Sequence, residues 1–536
     1  MGIYLNPRNA LFQKAVRSEI YVDKTMMLAE LNKILDTNDN FVCISRPRRF
    51  GKTMTASMIT AYYSKGCDSR GLFSNLKIAH DSSFEENLNR FNVIHIDINN
   101  FYMNLKPENR SCLFDKITVA VNKELSQAFQ TVGIDTGSDS LGNAILKVWA
   151  ETEETFILLF DEYDVLVREK VPQGLFDSYL DFLSSLFKNS TLRPAISLAY
   201  LTGILPIVRD PRPYAPALVV QSKMNEFFEY SMVDSEPFSQ FVGFTEEETK
   251  GLCQKYDMDF DECKRWYDGY MLGNETDIYS PRSVVTAMKK HAYGDYWVTT
   301  GSYEALKLYI LMDFEGIKDD VVTMIGGGRV RVNVLKYMNT MTDFNSKDDV
   351  FTYLIHLGYL AYDRFEKTCY IPNSEIRTQW TSSIEDSPEY KTIISIVNKS
   401  RELLDMTIAC DEKAVAAALD EAHQNATNPL TYNNEASFQS AIGLAYFYAT
   451  AKYTVIKELP TGRGYADVAF IPYVPNVPAI IVELKNNKTA VGAINQIKGK
   501  YYDAILHHYT GDMLFVGINY DEKTKAHECK IERFVK

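Results

Sequence analysis

Arg46–Thr53 reads RPRRFGKT and ends in a glycine, an amine and a hydroxyl, Gly51-Lys52-Thr53. A phosphate-binding loop needs backbone N–H groups that wrap a phosphate, a Lys for its charge and a hydroxyl for Mg²⁺. The usual first glycine is replaced here by Arg46, and Pro47, Arg48, Arg49 and Phe50 make the loop stiffer and more basic than that pattern. A basic turn that happens to contain GKT is the competing reading. A second segment, Thr155–Glu162 (TFILLFDE), ends in two acids. Placed at a strand end beside such a loop, Asp161 would order Mg²⁺ and Glu162 would polarise an attacking water; a solvated strand end is the alternative. Thr202, at the end of a fourth strand, either senses the γ-phosphate or satisfies its own turn. Arg209 or Arg282 could supply transition-state charge. The expected cofactors are ATP, held by Arg46–Thr53, Asp161 and Thr202, and Mg²⁺, on Thr53 and Asp161.

Near the C-terminus, Asp467 stands in Tyr465–Tyr473, and Glu483 and Lys485 end AIIVELK at Ala479–Lys485. Metal-dependent phosphodiester cleavage needs carboxylates for Mg²⁺ and a cation near the attacking water and the developing charge. If the two segments are antiparallel neighbours joined by the turn Pro475-Asn476-Val477-Pro478, Asp467 and Glu483 lie side by side. Glu483 and Lys485 then share a face. The expected catalytic residues are Glu162, Asp467, Glu483 and Lys485, with Asp467, Glu483 and Glu435 as metal oxygens. Glu435 reads equally well as an acid favoured at the start of the helix Ala436–Ala449. Gln496 and Tyr501, with Lys498 and Lys500, sit on the expected helix Ala490–His507 and could orient Lys485 or touch a phosphate; a polar helix face is the alternative. His507 and His508 point apart on a helix and make a poor shared ligand pair. The whole constellation could instead be a salt-bridged sheet edge.

The elements that must carry these groups are legible. Asn40–Ser45, Asn92–Ile98, Thr155–Phe160 and Ala195–Thr202 are continuous apolar runs, as strands buried on both faces require. Helical spacing over Lys52–Ser64, Cys112–Val132 and Phe176–Asn189 alternates with them. This predicts an α/β chain with an N-terminal parallel sheet whose active edge is the carboxyl ends of the strands. From about Phe238 the pattern becomes mostly helical, with Thr245 as an N-cap ahead of three acids. Val332–Asn373 reads as a small β element containing VFTYLIHLGYLAYD, Ser387–Gln424 as helix, and Asn425–Asn434 as a linker. The last hundred residues read helix, strand, turn, strand, helix, strand. The expected division is 1–237, 238–330, 331–424 and 425–536.

Composition is that of a globular protein. The chain has 536 residues, 46% hydrophobic and 24% charged, and 34 Tyr to fill its cores. A net charge of −13 excludes a surface coated for phosphate but not a local basic cleft. Lys485–Lys536 is such a stretch, with nine Lys or Arg against six Asp or Glu. The eight Cys are scattered with no C-x-x-C, as free thiols in a reducing compartment would be. No apolar h-region opens the chain and no run is long enough to span a membrane, so a cytoplasmic protein without membrane contact is expected.

Taken together, these segments resemble the bacterial proteins that join an AAA-ATPase-like domain to a PD-(D/E)XK nuclease-superfamily domain. The resemblance is carried by Tyr21–Thr25 (YVDKT), RPRRFGKT, Leu158–Asp164 (LLFDEYD), Leu201–Ile204 (LTGI) and Phe241–Glu248 (FVGFTEEE). It continues through Trp266–Tyr270 (WYDGY), Ile278–Val284 (IYSPRSV), His356–Leu360 (HLGYL) and DVAF…IVELK. It implies a P-loop NTPase sheet binding ATP at Lys52, Thr53, Asp161 and Glu162, a helical lid from about Phe238, and a restriction-endonuclease-like α/β domain carrying Asp467, Glu483 and Lys485. Arg46 in place of the first glycine is shared by the group, whereas Arg282 and Val208–Pro213 depart from it. The resulting expectation is an ATP-binding, ATP-hydrolysing protein whose nucleotide gates a Mg²⁺-dependent nuclease acting on nucleic acid, DNA first. The alternative is a signalling ATPase of the STAND kind that forms nucleotide-dependent homo-oligomers and binds nucleic acid or a partner without cutting.

Overall fold

The computed structural model describes residues 2–207, 226–273, 275–297, 302–312, 314, 316–337, 344–384, 390–425, 442, 445–446, 449, 453–460, 465–472, 477–499 and 511–534. They fall into two compact units. The first comprises Met1–Cys263, Tyr267–Trp297 and Arg331–Cys369, and the second Lys264–Trp266, Val298–Val330 and Tyr370–Lys536.

The first unit is organised by five parallel strands, β1 (Phe41–Ser45), β2 (Asn92–Asp97), β3 (Phe156–Asp161), β4 (Ile196–Gly203) and β5 (Phe228–Tyr230), in the order β2-β3-β4-β1-β5. The apolar runs are strands because both faces are covered. Helices Leu113–Ala128, Leu141–Thr152 and Gln173–Phe187 supply one cover, and their buried Ile117, Val121, Ile145, Val148, Leu180 and Leu183 join Phe41, Leu158 and Leu201 in one core. The register aligns Asp97 with Asp161 and Asp161 with Thr202. It also aligns Ser45 with Gly203. All the strand-end groups therefore emerge on one edge. Consecutive β1 and β2 lie far apart in the sheet, so the crevice a ligand can enter opens beside β1. β5 has three residues and no apolar run, which is why the sequence pattern does not reveal it.

Of the expectations for the middle of the chain, one is extended and one corrected. The mostly helical stretch from Phe238 also carries β6 (Phe244–Thr245), β7 (Tyr270–Leu272) and β8 (Glu275–Tyr279), an antiparallel sheet in the order β6-β8-β7. These strands are too short for a period-two pattern to register. The helices read there do form, at Glu246–Lys255, Phe260–Tyr267, Pro281–Lys290 and Ser302–Ile310, the first closed by a Thr245/Glu248 capping box. Second, VFTYLIHL is helix, within Lys347–Leu357. Its β-branched and aromatic residues favour strand, but Ser346 caps the start, two Asp occupy the first turn, and Gly358 at φ 86° closes the end. Only β9 (Val330–Arg331), β10 (Ala361–Asp363) and β11 (Thr368–Tyr370) remain as the small sheet, in the order β10-β11-β9.

The second unit contains a mixed sheet of β12 (Tyr453–Pro460), β13 (Tyr465–Pro472), β14 (Ala479–Asn486), β15 (Met513–Asp521) and β16 (Ala526–Phe534), paired in that order. Only β14 and β15 are parallel, with the helix Ala490–Gly499 as their crossover. β12 and one of the last two strands are additional to the pattern read from sequence. The helices Lys391–Ile408 and Glu412–Asn425 precede the sheet, and the second covers edge strand β16. Asp420 receives the His527 N–H at 2.7 Å and Glu412 the Ile531 N–H at 3.0 Å. Covering an edge this way satisfies strand groups that would otherwise template aggregation. The linker Asn425–Asn434 falls outside the described residues apart from Asn425, which ends a helix. No helix among the described residues is long and apolar enough to cross a membrane.

Gly517 of β15 pairs with Glu483 of β14, and a Cβ there would lie 2.4 Å from the Ala490 carbonyl oxygen. The missing side chain lets the crossover helix settle on the sheet. Gly517→Ala is expected to destabilise the second unit by roughly 1–3 kcal/mol, read as a lower denaturation midpoint for this unit with the first unit unchanged.

Candidate functional site

The phosphate-type loop runs from β1 into the helix Lys52–Tyr63. Gly51 caps that helix at φ 100°, a left-handed conformation that favours glycine, and a Cβ added there would meet nothing within 4 Å among the described residues. Among those residues open space thus lies beside Gly51 at a helix N-terminus, where an anion is stabilised. The Lys52 ammonium is buried and donates to the Arg46 and Pro47 carbonyls, both at 3.0 Å. Burial lowers its pKa, and Glu162, Asp164 and Asp161 act in the opposite sense. Thr53 is exposed at the mouth and hydrogen-bonds Asp161. Asp161 is pushed up to about 7, first by burial and then by Glu162 and Asp97. A buried acid so reluctant to ionise, set beside a hydroxyl and an open anion cradle, is what a divalent cation would relieve. The residues therefore fit a Mg²⁺-nucleotide.

Three expected site residues are occupied differently from their sequence reading. The Arg46 side chain is 0% exposed and turned into the protein, where Nη1 donates to the carbonyls of Ser45, Tyr230 and Ser231 at 2.8, 3.1 and 3.2 Å. Burial brings its pKa down to about 10, so it stays charged. The Arg46 guanidinium thus braces β1 to β5, and a nucleotide would meet only its backbone. Thr202 donates its hydroxyl to the Ile44 carbonyl at 3.0 Å, which is the structural rather than the sensing alternative. Glu162, at φ 52°, is ion-paired with Arg168, which also holds Asp164 at 3.0 Å. Asp164 in turn accepts the N–H groups of Ile204 and Leu205 at 3.1 and 2.9 Å, tying the loop after β3 to the LTGI segment.

The loop is held from outside the sheet by residues whose role the sequence does not disclose. Phe50 is buried, edge-on to Tyr270 at 5.4 Å and to Trp297 at 6.2 Å between ring centroids. Arg49 donates to the carbonyls of Tyr296, at 2.8 Å, and Trp297. The Tyr270 hydroxyl donates to the Gly358 carbonyl at 2.8 Å, and a Cβ on Gly358 would lie 2.8 Å from Pro47 Cβ. A Cβ on Gly243 would lie 2.6 Å from Ile278 and 3.5 Å from Phe50. Three of the segments that carry the resemblance, FVGF, WYDGY and HLGYL, thus converge on Pro47 and Phe50, and IYSP backs the first at Gly243. Arg48 is exposed.

In the second unit, β13 and β14 are antiparallel with Val468 opposite Val482, which brings Asp467 beside Glu483 as expected. Asp467 accepts the Leu484 N–H at 2.6 Å. Glu483 is 1% exposed and is held by the Lys485 ammonium at 3.1 Å and by the Gln496 side-chain amide. Two buried carboxylates on neighbouring strands with an ammonium alongside are a hard-oxygen donor set, and they fit Mg²⁺. Among the described residues no three His, Cys, Asp or Glu gather as a metal cage. Glu435, Lys500, Tyr501, His507, His508, Arg209 and the rest of Val208–Pro213 lie outside the described residues. Lys498 pairs with Glu532 at 2.5 Å, and Arg282 is exposed.

Residues 12–211 match the family model for predicted AAA-ATPases, and residues 433–529 match that of the PD-(D/E)XK nuclease superfamily. The chain joins an AAA-ATPase-like region to a PD-(D/E)XK nuclease-superfamily region. No curated protein matches it. Among solved structures it is similar to a signal-transduction ATPase with numerous domains (STAND) from Pyrococcus horikoshii that carries a tetratricopeptide-repeat sensor. Identity there is 11%, with a TM-score of 0.26 and coverage of 81% of this chain and 51% of that one. The chain thus spans about half the length of the STAND protein. It is also similar to the ORC2 protein of Aeropyrum pernix, at 10% identity, TM-score 0.30 and coverage of 69% and 98%. The ORC1 protein of Aeropyrum pernix, solved in complex with DNA, gives 11% identity, TM-score 0.24 and coverage of 88% and 95%.

Two outcomes are expected for the AAA-ATPase-like region. The Asp161 pKa is raised on folding, so the native state holds its proton where the unfolded chain has lost it. This group's penalty is absent below pH 4, grows between about 4 and 7, and is constant above. Asp161→Asn should raise the nucleotide-free Tm at pH 8 and leave it unchanged at pH 4, read by calorimetry across pH. Gly358→Ala places a Cβ against Pro47 at φ 86° and should cost roughly 1–3 kcal/mol. It should also weaken binding of a fluorescent ATP analogue, because the loop loses its seat.

Proposed function

We propose that this chain is an ATP-binding, ATP-hydrolysing protein whose nucleotide gates a Mg²⁺-dependent nuclease acting on nucleic acid, DNA first. The observation that carries the reading is the pairing of Asp467 with the Glu483–Lys485 couple on adjacent strands, in a chain that also presents Lys52, Thr53 and Asp161 around an open helix N-terminus. Under this reading the loop backbone from Pro47 to Gly51 wraps the phosphates. Lys52 exchanges its two loop carbonyls for phosphate oxygens, and Thr53 and Asp161 hold Mg²⁺. Glu162, once released from Arg168, would orient the attacking water, and Asp164 would keep Arg168 in place. In the second unit Asp467 and Glu483 hold Mg²⁺, which when bound polarises the scissile phosphate and acidifies water. Lys485 would meet the developing negative charge, and Gln496 would hold the Glu483 carboxylate in place. The expected divisions 1–237, 238–330, 331–424 and 425–536 belong to this proposal, as does a cytoplasmic location.

The Glu162–Arg168 ion pair favours a second reading, in which nucleotide is held without rapid turnover and drives homo-oligomerisation or partner binding, with nucleic acid bound and not cut. One experiment separates the two. Labelled duplex, single-stranded and branched DNA are incubated with the full chain and Mg²⁺, with and without ATP, beside Lys52→Ala and Asp467→Ala. The first reading expects Asp467→Ala to lower cleavage at least about a hundredfold with ATP binding intact. It expects Lys52→Ala to weaken ATP binding about 10- to 100-fold and to remove any ATP effect on cleavage. Cleavage unchanged in Asp467→Ala would show the site assignment wrong. Absence of cleavage by protein that still binds ATP supports the second reading.

A further inference from the structure

The turn between β10 and β11, Arg364–Lys367, holds the Phe365 ring 72% exposed. Leu335, 84% exposed, lies on the segment after β9, and the Val332 N–H donates to the Lys367 carbonyl at 3.1 Å, so that segment runs beside the turn. Burying either side chain would be favourable. The turn resists that burial. The buried Asp363 carboxylate accepts the N–H groups of Phe365 and Glu366, both at 3.0 Å, and Lys367 adopts φ 54°. Folding Phe365 back on to the sheet would break both hydrogen bonds.

Its neighbours are cations. The Arg364 guanidinium lies 5.0 Å from the Phe365 ring centroid, and Arg331 and Lys367 are exposed. Glu366 is the exposed acid of the turn. One cation against a projecting ring and two exposed cations on the adjoining strand and turn stand apart on a chain of net charge −13. An apolar wedge flanked by Arg and Lys is the arrangement that enters a DNA minor groove, with the cations on phosphates and the ring against a base step.

We propose that this hairpin tip docks on duplex DNA, with Arg331 and Lys367 on the phosphate backbone and Phe365, backed by Arg364, against a base step. The proposal rests on the nucleic-acid reading above and adds to it a binding surface separate from the Asp467–Glu483 site.

The test is fluorescence anisotropy of a labelled DNA duplex against the full chain carrying Asp467→Ala, titrated at several salt concentrations. Phe365→Ala and the double variant Arg331→Ala/Lys367→Ala are compared with that parent. These side chains are exposed, so both variants should keep the parent's Tm. Phe365→Ala is expected to weaken binding about tenfold. The double variant is expected to reduce the slope of log K against log salt by about 2, one per phosphate contact. Unchanged affinity and slope in both, on a parent that binds the duplex, overturn the hairpin proposal and leave the nucleic-acid reading standing. A parent that binds no duplex overturns the hairpin proposal, and one that binds no duplex, single-stranded or branched DNA overturns both. Co-sedimentation with phosphatidylserine vesicles that is lost in Phe365→Ala, with duplex binding unaffected, overturns it in favour of a membrane surface.

Discussion

The seating of Pro47 and Phe50 is the constraint on which the nucleotide-type site depends. A loop that must wrap an anion with backbone N–H groups has few side chains of its own to hold it. In the usual pattern, glycine freedom and the anion itself supply the shape. Here the first glycine is Arg46, whose guanidinium is turned inward to bridge β1 and β5, and the following Pro removes more freedom. Such a loop has to be shaped before the ligand arrives. Tyr270 and Trp297 clasp Phe50, Arg49 is anchored on the carbonyls of residues 296 and 297, and Gly358 lets the chain close against Pro47. A rigid loop of this kind loses less conformational entropy on binding. It also makes the geometry of the phosphate site sensitive to segments far along the chain.

Charge in the same site is arranged so that each group is left wanting a ligand. Lys52 has only carbonyls as partners and a lowered pKa, and Asp161 is poised near neutrality by burial and by its acidic neighbours. Glu162 is the exception, because Arg168 already neutralises it. Arg168 is shared with Asp164, which is fully buried and cannot do without a countercharge. Release of Glu162 therefore need not expose a bare arginine, since Asp164 retains it. Binding and turnover are thus separable in this architecture: the first uses groups that are ready, the second a group that must change partner.

The sequence discloses these sites unevenly, for a physical reason. Lys52, Thr53, Asp161, Asp467, Glu483 and Lys485 are legible because each lies in, ends or follows an apolar strand, and strand periodicity alone fixes which edge or face they occupy. Strands β1 to β4 of the first sheet are legible because burial leaves an unbroken apolar run in each. The side chains of Thr202 and Arg46 are not legible, because a residue at a strand end can turn toward the ligand or back into the sheet, and the choice is made by partners the local pattern does not name, Ile44 in one case and Tyr230 in the other. Of the seat formed by Gly243, Tyr270, Trp297 and Gly358, the sequence shows three members within motifs and Trp297 not at all, since its meaning lies in contacts across long separations. VFTYLIHL was misread because its side chains favour strand while its caps favour helix, and the caps prevailed.

The nuclease-like site shows the same economy in another form. Glu483 accepts from the Lys485 ammonium and the Gln496 amide at Oε1, and Asp467 accepts the Leu484 N–H at Oδ2. A strand N–H thus orients Asp467, and a neighbouring strand position plus a crossover helix orient Glu483. That helix reaches Glu483 only because Gly517, directly opposite it in the sheet, has no side chain. Fixing both carboxylates in advance lowers the cost of gathering them around a dication. A glycine that looks like a packing detail of β15 is, by this chain of contacts, what aims Glu483.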